Sequence, residues 1–97
     1  MVDHVSVGEK GQGLTTIEEQ DIFEYTDEGM RHHKGDYKRL VHHIASHLNQ
    51  HHHGKWTVFA VDTKTTPWEL ELYPVEDKFI QFSAHGYQFF IYKSSKE

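Results

Sequence analysis

The sequence predicts an α+β domain in which two helices pack on a five-stranded antiparallel sheet, in the order β-α-α-β-β-β-β. Leu40, Val41, Ile44, Ala45 and Leu48 recur at helical spacing and form one apolar stripe. Four strand-length runs rich in aromatic and β-branched residues then follow, at 56–61, 68–72, 79–84 and 87–93. His85 and Gly86 place a tight turn between the last two. A chain of 97 residues has room for one modest core, so a single domain is expected over 1–97. Its parts are a strand and loop in 1–14, two helices in 15–54 and the sheet in 56–93. A small sheet this rich in aromatics must find a partner sheet or leave one face wet, so a homodimer is the first functional expectation.

The elements follow in order. Residues 1–7 alternate weakly and suit an edge strand, and three glycines between 8 and 13 make a loop. Thr15 or Thr16 can cap a helix, since Glu18 and Glu19 follow three residues after each and favour its positive end. That helix is expected to run to Glu28 and stop at Gly29, with a thin inward face of Ile17, Ile22 or Phe23, Tyr25 and Met30. Asp36 caps the second helix, which turns Arg39, His42, Ser46 and Asn49 outward and is stopped by Gly54. In 56–61, Thr57, Phe59 and Val61 oppose Val58 and Ala60, so both faces are apolar and a central strand is expected, with Trp56 in the core. A polar turn at 62–67 leads to Trp68, Glu69, Leu70, Glu71 and Leu72, a half-exposed strand with two carboxylates on its wet face. Pro74 ends it, because proline cannot donate to a ladder. The closing hairpin alternates Phe79, Gln81 and Ser83 against Ile80, Phe82 and Ala84, and leaves a polar tail that frays.

Composition narrows the function. With no cysteine, disulfides, thiol chemistry and thiolate zinc sites are excluded, which fits a cytoplasmic protein. A formal net charge of −5 repels phosphates and argues against a nucleic-acid partner. No run approaches the ~20 apolar residues of a transmembrane helix, and no signal peptide is evident at the start. Ten histidines, fully protonated, would carry the charge from −5 to +5, mostly near the imidazole pKa of about 6.5.

Two constellations have a functional and a plain reading. His43, His47 and His51 stand at i, i+4 and i+8 and can stack imidazoles as metal ligands, with His52 and His53 beside them. No carboxylate can be placed near them from the sequence, so the adopted reading is a solvated histidine-rich face and no cofactor. The alternative keeps a histidine-based metal- or small-molecule-binding domain with dimerisation as its only protein contact. Glu69 and Glu71 share a strand face, which suits a solvated surface better than an acid–base pair. Residues 62–66 lack the glycines of a phosphate loop, and no nucleophile triad stands out among ten histidines, so no enzyme is expected.

Lys38, Arg39 and Leu40 with Ile44 and Leu48, then Trp56, then Phe79-Ile80-Gln81-Phe82, then Phe90-Ile91-Tyr92-Lys93-Ser94 follow one another over residues 36–95. In this order they resemble the dynein light chain family of cargo-adaptor dimers. Gly35-Asp36, Trp68 and Ile80-Gln81-Phe82 bring the likeness nearest to the light-chain-like C-terminal domain of flatworm tegumental calcium-binding proteins. The resemblance implies a longer protein whose EF-hands, not this segment, hold calcium, since no calcium loop occurs here. It implies a dimer that exchanges a strand and takes extended peptides by adding them to a sheet edge, with dynein or tegument complexes as partners. It also implies a cytoplasmic place at the tegument or at vesicles. Carried over by position, the peptide groove comprises Lys38, the crossing strand Trp68, Glu69, Leu70, Glu71 and Leu72, and a floor of Phe79, Gln81, Ser83 and Phe90. Thr57, Trp68, Leu70 and Leu72 form the dimer interface in the same carry-over.

Overall fold

The computed structural model describes residues 5–62, 74–84 and 86–96. Strand β1 (Ser6–Lys10) is followed by helices α1 (Thr16–His32) and α2 (Tyr37–His51), strand β2 (Lys55–Asp62), a single 3-10 turn (Val75–Asp77), and strands β3 (Phe79–Ala84) and β4 (Tyr87–Ser95). The expected fifth strand at 68–72 lies outside the described residues, so the sheet described has four strands.

Helix α1 begins where the capping chemistry puts it. Thr15, not Thr16, is the cap: its hydroxyl accepts from the Glu18 amide at 3.1 Å, and the Glu18 carboxylate accepts from the Thr15 amide at 2.9 Å. Lys78, just before β3, donates to the same carboxylate at 2.7 Å and ties the start of the helix to the sheet. Burial works against ionisation of Glu18, but Lys78 and the Thr15 amide and hydroxyl outweigh it and hold the carboxyl below its ordinary range. The helix does not stop at Gly29. That glycine is buried where α1 crosses α2, and a Cβ there would stand 2.8 Å from Leu40 Cδ1 and 3.3 Å from the His43 ring. Its role is close approach, and the helix continues to His32. Ile17, expected inside, is 68 % exposed; Ile22 points inward as expected, joined by Thr26. The buried Thr26 hydroxyl donates to the Ile22 carbonyl at 2.7 Å and so leaves no unsatisfied donor.

Helix α2 follows its pattern. Asp36 Oδ1 accepts from the Arg39 amide at 3.1 Å, and Leu40, Ile44 and Leu48 are buried. Each such side chain contributes about 1.5–3 kcal/mol on leaving water. Asn49, at the far end, accepts from the Trp56 amide at 2.8 Å across the turn that holds Gly54 at φ +88°.

All strand pairs are antiparallel, in the spatial order β1-β3-β4-β2. One expectation is corrected: among the described residues β1 runs on past Val7 to Lys10, into the expected glycine loop, because it takes its register from β3, with Val7 opposite Phe82 and a bulge before Glu9. Among the described residues β2 pairs with β4 alone, and the expected strand at 68–72 lies outside them. The two apolar faces of β2 have different causes, one being covered by the helices and the other belonging to an open sheet face. Gly11 and Gly13 sit against the backbone of Glu76 and Asp77, where any Cβ would collide with a carbonyl oxygen. Glu76 and Asp77 hold φ of +59° and +55°, and Gly11 and Gly13 lock this turn by donating to Phe79 and Asp77 at 2.9 and 3.1 Å.

The core lies between the helices and one sheet face. Trp56, Ile80, Phe82, Ala84, Phe89 and Ile91 meet Leu14, Ile22, Leu40, Ile44 and Leu48 there, with Val58 and Ala60 packed at the margin. No helix among the described residues is long and apolar enough to cross a membrane.

Candidate functional site: an open sheet face, a strand edge and a histidine flank

Because side chains alternate along a strand, the face that does not meet the helices can be read from the register. Thr57 faces Tyr92, which faces Phe79; Phe59 faces Phe90, which faces Gln81; and Gln88 faces Ser83. Two of these rows place aromatic rings on three adjacent strands. Phe90 is buried to 8 % exposure without joining the helix-side core, whereas Phe59 is 45 % exposed. Thr57 donates its hydroxyl to Ser94 Oγ at 3.1 Å on the same face.

A groove of about 490 Å³ runs beside β2, between its outer edge and the start of α2, and is lined by Tyr37, Lys38, Val41 and residues 58–61. Among the described residues no strand pairs with that edge, so the outward backbone groups of alternate β2 residues border an apolar trough. Lys38 stands exposed in the first turn of α2, beside amides that have no partner within the helix.

The sequence-derived site is therefore distributed. Phe79, Gln81, Ser83, Phe90 and Thr57 share the open face, while Lys38 lines the groove by β2, two strands away from β3. Trp68, Glu69, Leu70, Glu71 and Leu72 lie outside the described residues. Tyr37, Val41 and Phe59 were not among the expected site residues. Phe59 had a signal in its alternation with Thr57, but Tyr37 and Val41 become groove residues only through the placement of α2 over β2.

The histidine flank is only partly solvated, which corrects the expected exposed face. The i, i+4 row on α2 faces the flank of α1, leaving the side chains of His43 and His47 13 % and 32 % exposed. His43 Nε2 lies 3.1 Å from Glu28 Oε1 and His47 Nε2 3.9 Å from the same oxygen. His52, at the end of α2, meets Asp21 at 2.8 Å. Burial, reinforced by the neighbouring His47, holds the His43 imidazole below its ordinary pKa against the opposing pull of Glu28. The sequence carried no local signal for Glu28 or Asp21, because both contacts depend on how the two helices cross.

Two helices over one face of an antiparallel sheet, in this order of elements, make a dynein-light-chain-like fold. The crystal structure of the DLC like domain of CsTAL3 is similar to this chain at a TM-score of 0.76, over 98 % of this chain and 97 % of that one. Sequence identity is 15 %, so the likeness is one of fold. No protein-family model and no curated protein matches the sequence.

Proposed function

We propose that this chain is a non-enzymatic, dimerising protein-binding domain that takes extended peptides by strand addition. The observation that carries the reading is the β2 edge, bordered by the apolar trough of Tyr37, Val41 and Phe59 and continuous with the aromatic open face. An edge with apolar residues on both sides needs a strand to pair with it or it becomes an aggregation site. In the proposed dimer the segment Trp68, Glu69, Leu70, Glu71 and Leu72 of one copy adds to β2 of the other, and the open faces with Thr57 close on each other. The exchanged strand then offers a fresh edge near Lys38 to the peptide, whose backbone supplies affinity while side-chain pockets supply selectivity. The same reading makes the chain part of a flatworm tegumental calcium-binding protein, with calcium held by EF-hands elsewhere and tegument or dynein complexes as partners.

The test joins sedimentation equilibrium to an unbiased peptide array. A concentration-dependent dimer, with array hits weakened by Lys38→Glu, is expected. A monomer throughout the micromolar range, or a dimer that captures no peptide, refutes strand addition.

A further inference from the structure

Glu28, in the last turns of α1, and His43 and His47, one turn apart on α2, aim their ligand atoms at one point. All three lie within 4.8 Å of one another, and among the described residues this is the one group of three with such geometry. His43 Nε2 is buried, 3.1 Å from Glu28 Oε1, and has no well-formed hydrogen bond. A buried ring nitrogen in that state is destabilising unless something satisfies it. We propose that Glu28, His43 and His47 form a zinc site that clips α1 to α2.

The donor set selects the ion. Two imidazoles and a carboxylate suit a borderline cation such as Zn²⁺, whereas Ca²⁺ and Mg²⁺ require shells of oxygen. Zinc–ligand bonds of about 2.0–2.1 Å put neighbouring tetrahedral donors about 3.4 Å apart. His43 and Glu28 already stand near that separation at 3.1 Å, His47 is 3.9 Å from Glu28, and all three atoms lie within 4.8 Å, so the partly exposed His47 ring has to move inward to complete the set. An open cleft of about 780 Å³, lined by His33, His42, His43 and His47, leaves the fourth position to water or to the His33 ring, whose centroid is 5.5 Å from that of His43. Lys38 and Arg39 line the same cleft and oppose a dication, but the Arg39 guanidinium stands 3.5 Å from Asp36, which offsets part of its charge. The Tyr25 ring packs on His47 at 5.1 Å and limits its rotation.

A chain with ten histidines binds zinc somewhere under forcing conditions, so the test must locate the ion. ZnCl₂ is titrated calorimetrically into the metal-free chain at about one pH unit above the imidazole pKa of ~6.5. One Zn²⁺ per chain is expected, weakened at least about 100-fold by Glu28→Gln and by His47→Asn. A His51→Asn, His53→Asn double variant should keep its affinity within about twofold. Far-UV circular dichroism confirms that the variants fold, and the rise in melting midpoint caused by zinc should vanish in Glu28→Gln. Co²⁺ should give the intense visible bands of a tetrahedral site in the native chain alone. Affinity that survives Glu28→Gln but is lost with His51 and His53, or uptake of several ions weakened equally by every histidine substitution, overturns the site.

Discussion

Phe59→Ala probes the proposed dimer through a quantity the fold supplies. A phenylalanine side chain presents about 150–250 Å². Being 45 % exposed, Phe59 leaves about 90 Å² for a partner subunit to cover. At about 25 cal/mol per Å² that area contributes about 2.25 kcal/mol per copy. Twofold symmetry uses each Phe59 once per subunit, so the pair contributes about 4.5 kcal/mol, or roughly a thousandfold in the dimer dissociation constant. Sedimentation equilibrium across the micromolar range reads this directly, with far-UV circular dichroism to confirm that the variant monomer keeps its fold. An alanine variant that dimerises as tightly as the native chain would show that the open face is not the contact. A native chain that never dimerises would remove the premise altogether.

Three further outcomes are expected. Glu18→Ala breaks the capping box and leaves the Lys78 ammonium without its carboxylate, so urea denaturation should register a loss of about 1.5–4 kcal/mol; a loss below half a kcal/mol would refute the joint role. Gly54→Ala forces a side chain into φ +88° and into Lys93 and the Ser95 carbonyl, so it should destabilise by about 1–3 kcal/mol, and an unchanged melting midpoint would count against that strain. Acidification should lower the melting midpoint in two stages. His43 has its folded pKa below 6.5, so as pH falls from 6.5 through the folded value the unfolded chain takes up the proton first and stability drops. Glu18 sits below 4.5, and its contribution, present above that pH, is lost as pH falls through its own folded value. His43→Asn should erase the first stage; a first stage that persists in that variant would place it on another group.

What the sequence makes legible is whatever local chemistry decides. Helix α2 has both a cap at Asp36 and a stripe of Leu40, Ile44 and Leu48, and each signal supports the other. The β3–β4 hairpin reads from alternation and from Gly86, whose φ is +83°. Contacts between elements decide the rest. Gly29 looks like a stop signal, yet it serves the crossing of two helices, and nothing near it in the sequence distinguishes these roles. The apolar faces of β2 predict burial correctly on one side but say nothing of its neighbours, of which the described residues show β4 alone. In the candidate site, the shared face of Phe79, Gln81 and Phe90 follows from strand alternation, but Glu28 beside His43 could not be read, since that pairing arises only once α1 lies on α2.

The strand order has a consequence for how the protein is made. Ser6 meets Ser83 and Val7 meets Phe82, so β1 finds its neighbour only after both helices and β2 have been synthesised. The helices leave the ribosome with Leu40, Ile44 and Leu48 turned toward a hairpin that does not yet exist, and Ile80, Phe82, Phe89 and Ile91 arrive later to cover them. A chain that terminates before Phe79 is therefore not a smaller domain. It is an oily helical fragment, and a natural client for chaperones and proteases.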